Sequence, residues 1–193
     1  MPCIISAGRL VDCKDSLGGI KSVYIGNYVD MLVQTGWLAA TADTVTSIAG
    51  GTGLLADQTF YEFELRPELS SMTINYMADA ASGTTFFEQT LSLTFQKLEA
   101  TDIAPLRELC EGRPNIWVLD GNNKCWLLGA EHGCHVTGGS IVTGVAYGDM
   151  NGFTIDFTAK EQNPTWLASA AAIPAVANYP LDAVTNAVVV AAT

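Results

Sequence analysis

Charge is scarce in this sequence, and positive charge most of all. Of 193 residues 15% are charged, with 9 lysines and arginines against 20 aspartates and glutamates, a formal net charge of −11. Such a chain lacks the basic footprint that grips phosphates, which argues against stable nucleic-acid binding. It does not exclude DNA sliding past a surface that repels it. Histidine is limited to His132 and His135, so a metal centre or a His-dependent dyad would have to draw on one short stretch. The five cysteines (Cys3, Cys13, Cys110, Cys125, Cys134) are odd in number, share no regular spacing and include no Cys-x-x-Cys. The opening MPCIISAGRL has no basic region followed by a long apolar one, as a secretory leader would. Together these predict reduced cytoplasmic thiols, packed mostly as small hydrophobes. The apolar segment WLASAAAIPAVANYPLDAVTNAVVVAAT is interrupted by Pro174, Pro180, Asp182 and Asn186. It falls short of the roughly 20 uninterrupted apolar residues of a membrane helix, so no membrane partner is expected.

What the chain does have is apolar content, 49% of its residues, enough for one folded domain with a sizeable core. Residues 59–96 alternate with period two. Tyr61, Phe63 and Leu65 oppose Glu62, Glu64 and Arg66; Met72, Ile74 and Tyr76 oppose Ser71, Thr73 and Asn75; Leu91, Leu93 and Phe95 oppose Thr90, Ser92, Thr94 and Gln96. That period marks half-buried antiparallel strands, and Ala81-Ser82-Gly83 supplies the turn of a long hairpin. TDIAPLRELCEG, 101–112, reads as a helix with Thr101 or Asp102 as cap, Pro105 in the first turn, a stripe of Leu106, Leu109 and Cys110, and Gly112 as stop. Strands resume with NIWVLD, a DGNN turn and KCWLLG. A long strand over 134–147 follows, with Ile141, Thr143, Val145 and Tyr147 on one face. After GDMNG comes FTIDFTAK, in which Phe153, Ile155 and Phe157 oppose Thr154, Asp156 and Thr158.

The expected fold is therefore mainly β, an antiparallel β-sandwich or open barrel with one packed helix. The expected domain plan is an N-terminal arm over 1–20, the sandwich over 21–160 and a C-terminal arm over 161–193. Residues 29–58, rich in Thr, Ala and Gly, form a long loop or weak hairpin. The charge-poor C-terminal stretch is read as an arm seeking a partner.

Chemistry finds little support. Cys125, His132, Cys134 and His135 offer four potential zinc ligands in GAEHGCHVTGGSIVTG and its approach. Adjacent strand residues such as Cys134 and His135 point to opposite faces, and the spacing matches no paired-ligand pattern. Cys134 is read as a core residue and His132 as a turn residue. Ser140 lacks a G-x-S-x-G elbow, and the glycine runs lack the Gly-Lys-Ser/Thr ending of a phosphate loop. Glu62 and Glu64 share a strand face and would suit an acid/base pair, but polar strand faces carry such pairs routinely. The expectation is a non-enzyme with no cofactor and no metal. Gly138 and Gly139 are expected to let their strand bend or bulge.

Two motifs carry a family resemblance. The opening CKDSLGGIK (Cys13, Lys14, Asp15, Gly18, Gly19, Ile20, Lys21) and the GDMNGF turn (Gly148, Asp149, Asn151, Gly152, Phe153) stand within an overall pattern over 3–167. In these the chain resembles tail-tube-like virion proteins of tailed bacteriophages. The resemblance implies a β-sandwich flanked by a helix, six copies to a ring, inner sheets joined into one β-barrel, and rings stacked into a tube through which DNA leaves the capsid. It implies a homo-oligomer that meets other phage tail proteins and lets double-stranded DNA pass without stable binding, assembled in the bacterial host cytoplasm. It also implies a long loop and terminal segments reaching into neighbours, which singles out Gly50, Gly51, Gly53, Trp166 and Leu167 besides the opening motif. An acidic lumen would repel phosphates, and Glu62, Glu64 and Glu88 are the candidate lining, although a solvated outer face would read the same way. Other readings are a tail-terminator, head-decoration or baseplate subunit, or a small β-fold hydrolase or metal-binding module.

Overall fold

The computed structural model describes residues 14, 16–28, 38–41, 44–48, 58–97, 99, 103–168, 178–182, 184 and 187–192. Cys13, Asp15, Gly50, Gly51, Gly53 and the helix caps Thr101 and Asp102 lie outside the described residues. So do most of the expected arm 1–20 and of the loop 29–58.

The fold is mainly β, two sheets with one helix, as the alternation predicted. The strands are β1 (Ile20–Gly26), β2 (Leu38–Thr41), β3 (Thr44–Ile48), β4 (Gln58–Glu64), β5 (Ser71–Asp79), β6 (Thr84–Gln96), β7 (Asn115–Asp120), β8 (Cys125–Leu128), β9 (His135–Val142), β10 (Gly152–Glu161), β11 (Trp166–Ala168) and β12 (Ala187–Val190), with α1 (Ile103–Glu111) between β6 and β7. An eight-stranded sheet runs β12-β4-β1-β7-β8-β11-β3-β2 and curls into a half-barrel. A four-stranded sheet, β5-β6-β10-β9, is antiparallel throughout.

Between the sheets lies one core. Val23, Ile25, Ile116, Val118 and Leu128 from the large sheet meet Leu91, Leu93, Phe153, Ile155 and Phe157 from the small one. The inward phase of β6 and β10 is the one the alternation assigned. A second core covers the opposite face of the large sheet, where Tyr24, Phe60, Trp117, Leu119 and Leu127 pack against Ala168, Leu181, Val184 and Ala187. Burial on both faces explains why β7 reads as a continuous apolar run without alternation.

Three expectations change. The strand over 134–147 ends at Val142, and Val145 and Tyr147 stand in solvent instead of sharing a strand face. Asp149 Oδ2 accepts the N–H groups of Val145 and Ala146, both at 2.8 Å, closing a turn that draws the chain off the ladder. On α1 only Leu106 and Leu109 pack against the inter-sheet core; Cys110, one position further round, is exposed. On β4, Glu62 and Glu64 share their face with the fully buried Phe60, whereas Tyr61 is 53% exposed. The acidic face of β4 therefore adjoins the second core.

Described parts of the segment expected to reach outward are strands of this chain's own sheet. Trp166 and Leu167 pair antiparallel with Leu127 and Trp126, and Leu167 also pairs with Thr44. β12 pairs parallel with β4 from Ala187↔Gln58 to Val190↔Tyr61. The physical reason is the exposed apolar back of β1, β4 and β7, which the C-terminal residues cover. At the far edge β2 and β3 pair antiparallel.

Candidate assembly surface

The outer face of the four-stranded sheet is built of cross-strand rows set by register. Asn75, Glu88 and Lys160 form one; Thr73, Thr90 and Thr158 the next; Ser71, Ser92 and Asp156 the third; Thr94, Thr154 and Ser140 the fourth. Neighbours along a row bond to one another: Ser92 Oγ donates to Asp156 Oδ1 at 2.6 Å, Ser140 and Thr154 hydroxyls lie 3.0 Å apart, and Thr137 and Thr158 hydroxyls 3.2 Å. The face is thus hydroxyl-rich and nearly uncharged. Its charged side chains are Asp79, Glu88, Asp156 and Lys160, three acids and one base, a net −2. Lys160 Nζ is 3.4 Å from Glu88 Oε1, so the cation is compensated by its neighbour.

Both edges of this sheet, β5 and β9, lack a partner strand among the described residues. The β9 edge carries a register shift opposite Asp156/Phe157, with Thr137 as the extra residue beside Gly138 and Gly139. The bend expected of that glycine pair is therefore a bulge. Unpaired N–H and C=O groups along such edges are templates for another strand.

The stretch holding both histidines is a reversal between strands, tied to both sheets by hydrogen bonds. Gly129 and Gly133, with φ of 66° and 73°, reverse the chain between β8 and β9. The Glu161 carboxylate, buried at the end of β10, accepts the N–H groups of Glu131 at 3.2 Å and His132 at 3.1 Å. Burial holds its carboxyl above the usual range, against the pull of those two amides. Buried Gln89 joins the same turn, its Oε1 accepting Gly129 N–H at 3.0 Å and its Nε2 donating to Pro164 C=O at 2.8 Å. Tyr28 Oη donates to Glu131 C=O at 2.8 Å, and Arg113 lies 3.9 Å over the Tyr28 ring.

His132 and His135 are exposed, and Cys134 is buried in the inter-sheet core, as expected of a turn residue and a core residue. Burial pushes the thiols of Cys125 and Cys134 up, which disfavours the thiolate at each. Glu131, His132 and Glu161 place three potential ligand atoms within 4.8 Å of one another. The Glu161 oxygens there are already engaged by backbone amides.

The candidate lining residues do not converge. Glu62 accepts a 2.7 Å hydrogen bond from Tyr24 Oη, Glu64 is exposed beyond it, and both belong to the large sheet, whereas Glu88 lies on the small one. Of the opening motif, Lys14 is exposed. Gly18 and Gly19 belong to a stretch tied to the β7–β8 turn by two Leu17–Asn122 bonds, 2.7 and 2.8 Å, and by Gly121 N–H to Gly19 C=O at 2.9 Å. Asp156 and Lys160 joined the polar face only through the register of β10 on β6. The alternation in FTIDFTAK placed Asp156 outward but could not say which strand lay beside it.

No family model, no curated protein and no solved structure matches the chain. Among the described residues no helix is long and apolar enough to cross a membrane.

Proposed function

We propose that this chain is a self-assembling structural subunit of the tail tube of a tailed bacteriophage. In this reading copies join into rings, and rings stack around a channel through which DNA passes. The observation that supports it most is the four-stranded sheet, a polar outer face flanked by two edges that lack a partner strand among the described residues. With an even number of antiparallel strands per copy, β9 of one copy meets β5 of the next in antiparallel sense, so the sheet continues round a ring without a change of pattern. The rows of Thr and Ser, with Glu88 among them, would face the lumen, and Glu62 and Glu64 of the large sheet would not. Such a wall presents no uncompensated cation to phosphates and carries a thin net negative charge, which suits passage without sticking. The larger negative charge then lies on the remainder of the molecule.

Negative-stain microscopy and sedimentation of the purified protein test this reading. Rings with a central channel, stacked into tubes, are the expected result. A monomer at every concentration would overturn it, and single rings that never stack would assign the chain to a tail terminator or another closed-ring component.

A further inference from the structure

The four-stranded sheet has two apolar features that the described residues leave uncovered, and they sit at opposite ends of its strands. Beyond the end of β9, Val145 and Tyr147 stand fully in solvent, at 102% and 112% relative exposure. The connection that carries them is held in shape. Asp149 accepts the N–H groups of Val145 and Ala146 and returns its own N–H to Ala146 C=O at 3.0 Å. The two side chains are therefore presented outward at little further cost in ordering. At the other end a groove of about 440 Å³ opens between the sheets, lined by Ile74, Tyr76, Phe87, Trp126, Pro164 and Leu167. Tyr76, 64% exposed, leans on Phe87 with ring centroids 5.4 Å apart.

The register fixes their separation. Val142 is level with Gly152 and Gln96, whereas Phe87 is level with Glu161 and Tyr76. The two levels are nine residue steps apart on β6, from Phe87 to Gln96, about 30 Å of strand. About 30 Å apart, a projecting pair at one end and a groove at the other cannot meet within one copy. Between copies placed end to end in the same sense they make a heterologous contact that repeats along the strand direction without closing.

We propose that Val145 and Tyr147 of one copy seat in the Tyr76–Phe87–Trp126 groove of a second copy placed end to end with it, so that this contact stacks ring on ring. The proposal rests on the self-assembly reading above and names the surfaces that meet. Area argues for a copy already held in a ring as the occupant. One Tyr and one Val against the groove walls bury a few hundred Å² at most, well under the roughly 1,200 Å² of a stable pairwise interface. Two free copies would part readily, whereas a ring presenting the contact from every subunit gains through multivalency.

Val145→Ser together with Tyr147→Ser is the direct test, because both side chains are exposed and the melting temperature is expected to stay unchanged. The expected result is loss of tubes with rings retained, or a rise of about tenfold or more in the concentration needed for stacking. A second test uses a background with Cys3, Cys13 and Cys110 changed to Ser. Tyr147→Cys protein mixed with Tyr76→Cys protein and a short bis-maleimide is expected to give cross-linked dimers of the unlike pair. Wild-type tubes that persist in the double variant, with no unlike cross-link, would overturn the proposal while leaving the ring reading standing. Wild-type protein that never assembles would overturn both. If Tyr76→Cys resists maleimide in dissociated protein, the chain fills its own groove and the proposal also falls.

Discussion

A Cβ built on Gly139 would stand 2.6 Å from the Thr154 carbonyl oxygen, a backbone atom fixed by the β9–β10 ladder. Gly139→Val is therefore expected to lower stability by about 1–3 kcal/mol or more in urea unfolding, as an overpacked site does. At Gly138 the nearest atom is Asp156 Oδ2 at 3.3 Å, the end of a side chain, so a small substitution there is expected to be milder. His135→Ala, at an exposed position, is expected to stay within about 0.5 kcal/mol of wild type. Equal losses at Gly139 and His135 would remove the structural account of this stretch. Glu161 is the residue with a pH signature. Burial raises its carboxyl above the ordinary 4.5, so the folded chain binds this proton more tightly than the unfolded chain. Its contribution is fully present below the unfolded value and is lost as pH rises through the folded one. Glu161→Gln keeps an acceptor for the Glu131 and His132 amides but cannot titrate. From about pH 4.5 up to neutral pH the urea midpoint of the variant is expected to fall less than that of wild type. A wild-type midpoint that rises as steeply as the variant's across that interval would contradict the assignment.

At the scale of elements, the C-terminal residues act as a cover for the large sheet. Leu181 is fully buried among Tyr24, Phe60 and Trp117, so Leu181→Ala is expected to cost about 2–5 kcal/mol. A loss under ~0.5 kcal/mol in the dissociated protein would show that the segment is an arm that binds only in the assembly. Why this was hidden in the sequence has a physical answer. Strict alternation reports strands with one wet face, which is why β5, β6 and β10 and their inward residues were legible. β1 and β7 are buried on both faces, and nothing in NIWVLD says what lies on the second one. The cover is distant in sequence and broken by Pro174 and Pro180, so its composition reads equally well as a free arm. The polar outer face of the four-stranded sheet was half legible for a similar reason. The outward phase of each strand could be read, but the pairing of β10 with β6 and β9 joins residues far apart in the chain, and no local pattern encodes it. Gln89 shows the limit at a single position, a polar residue in the inward phase of β6 whose two bonds reach the β8–β9 turn and Pro164.

For the whole molecule, a net charge of −11 opposes every association of one copy with another. The proposed assembly, through edges that lack a partner strand among the described residues and an apolar end contact, must overcome that repulsion, so it is expected to be favoured by salt, the reverse of an assembly held by ion pairs. At 0.1 M the screening length is about 10 Å, comparable to the distance between facing surfaces. Light scattering between about 20 and 300 mM NaCl is therefore expected to show faster and more complete growth as salt rises. Lys160 sharpens the test. It is the cation of the four-stranded sheet's outer face, paired with Glu88, and Lys160→Glu would take that face from −2 to −4. Because 62% of the lysine side chain is exposed, the monomer's stability should hardly change. In a ring whose sheets face one another across a lumen, the added charges of all copies converge on one axis. The variant is then expected to assemble poorly at low salt and to recover at high salt. If it assembles like wild type at every ionic strength, this face does not line a narrow channel, and the lumen must be sought on another surface of the subunit.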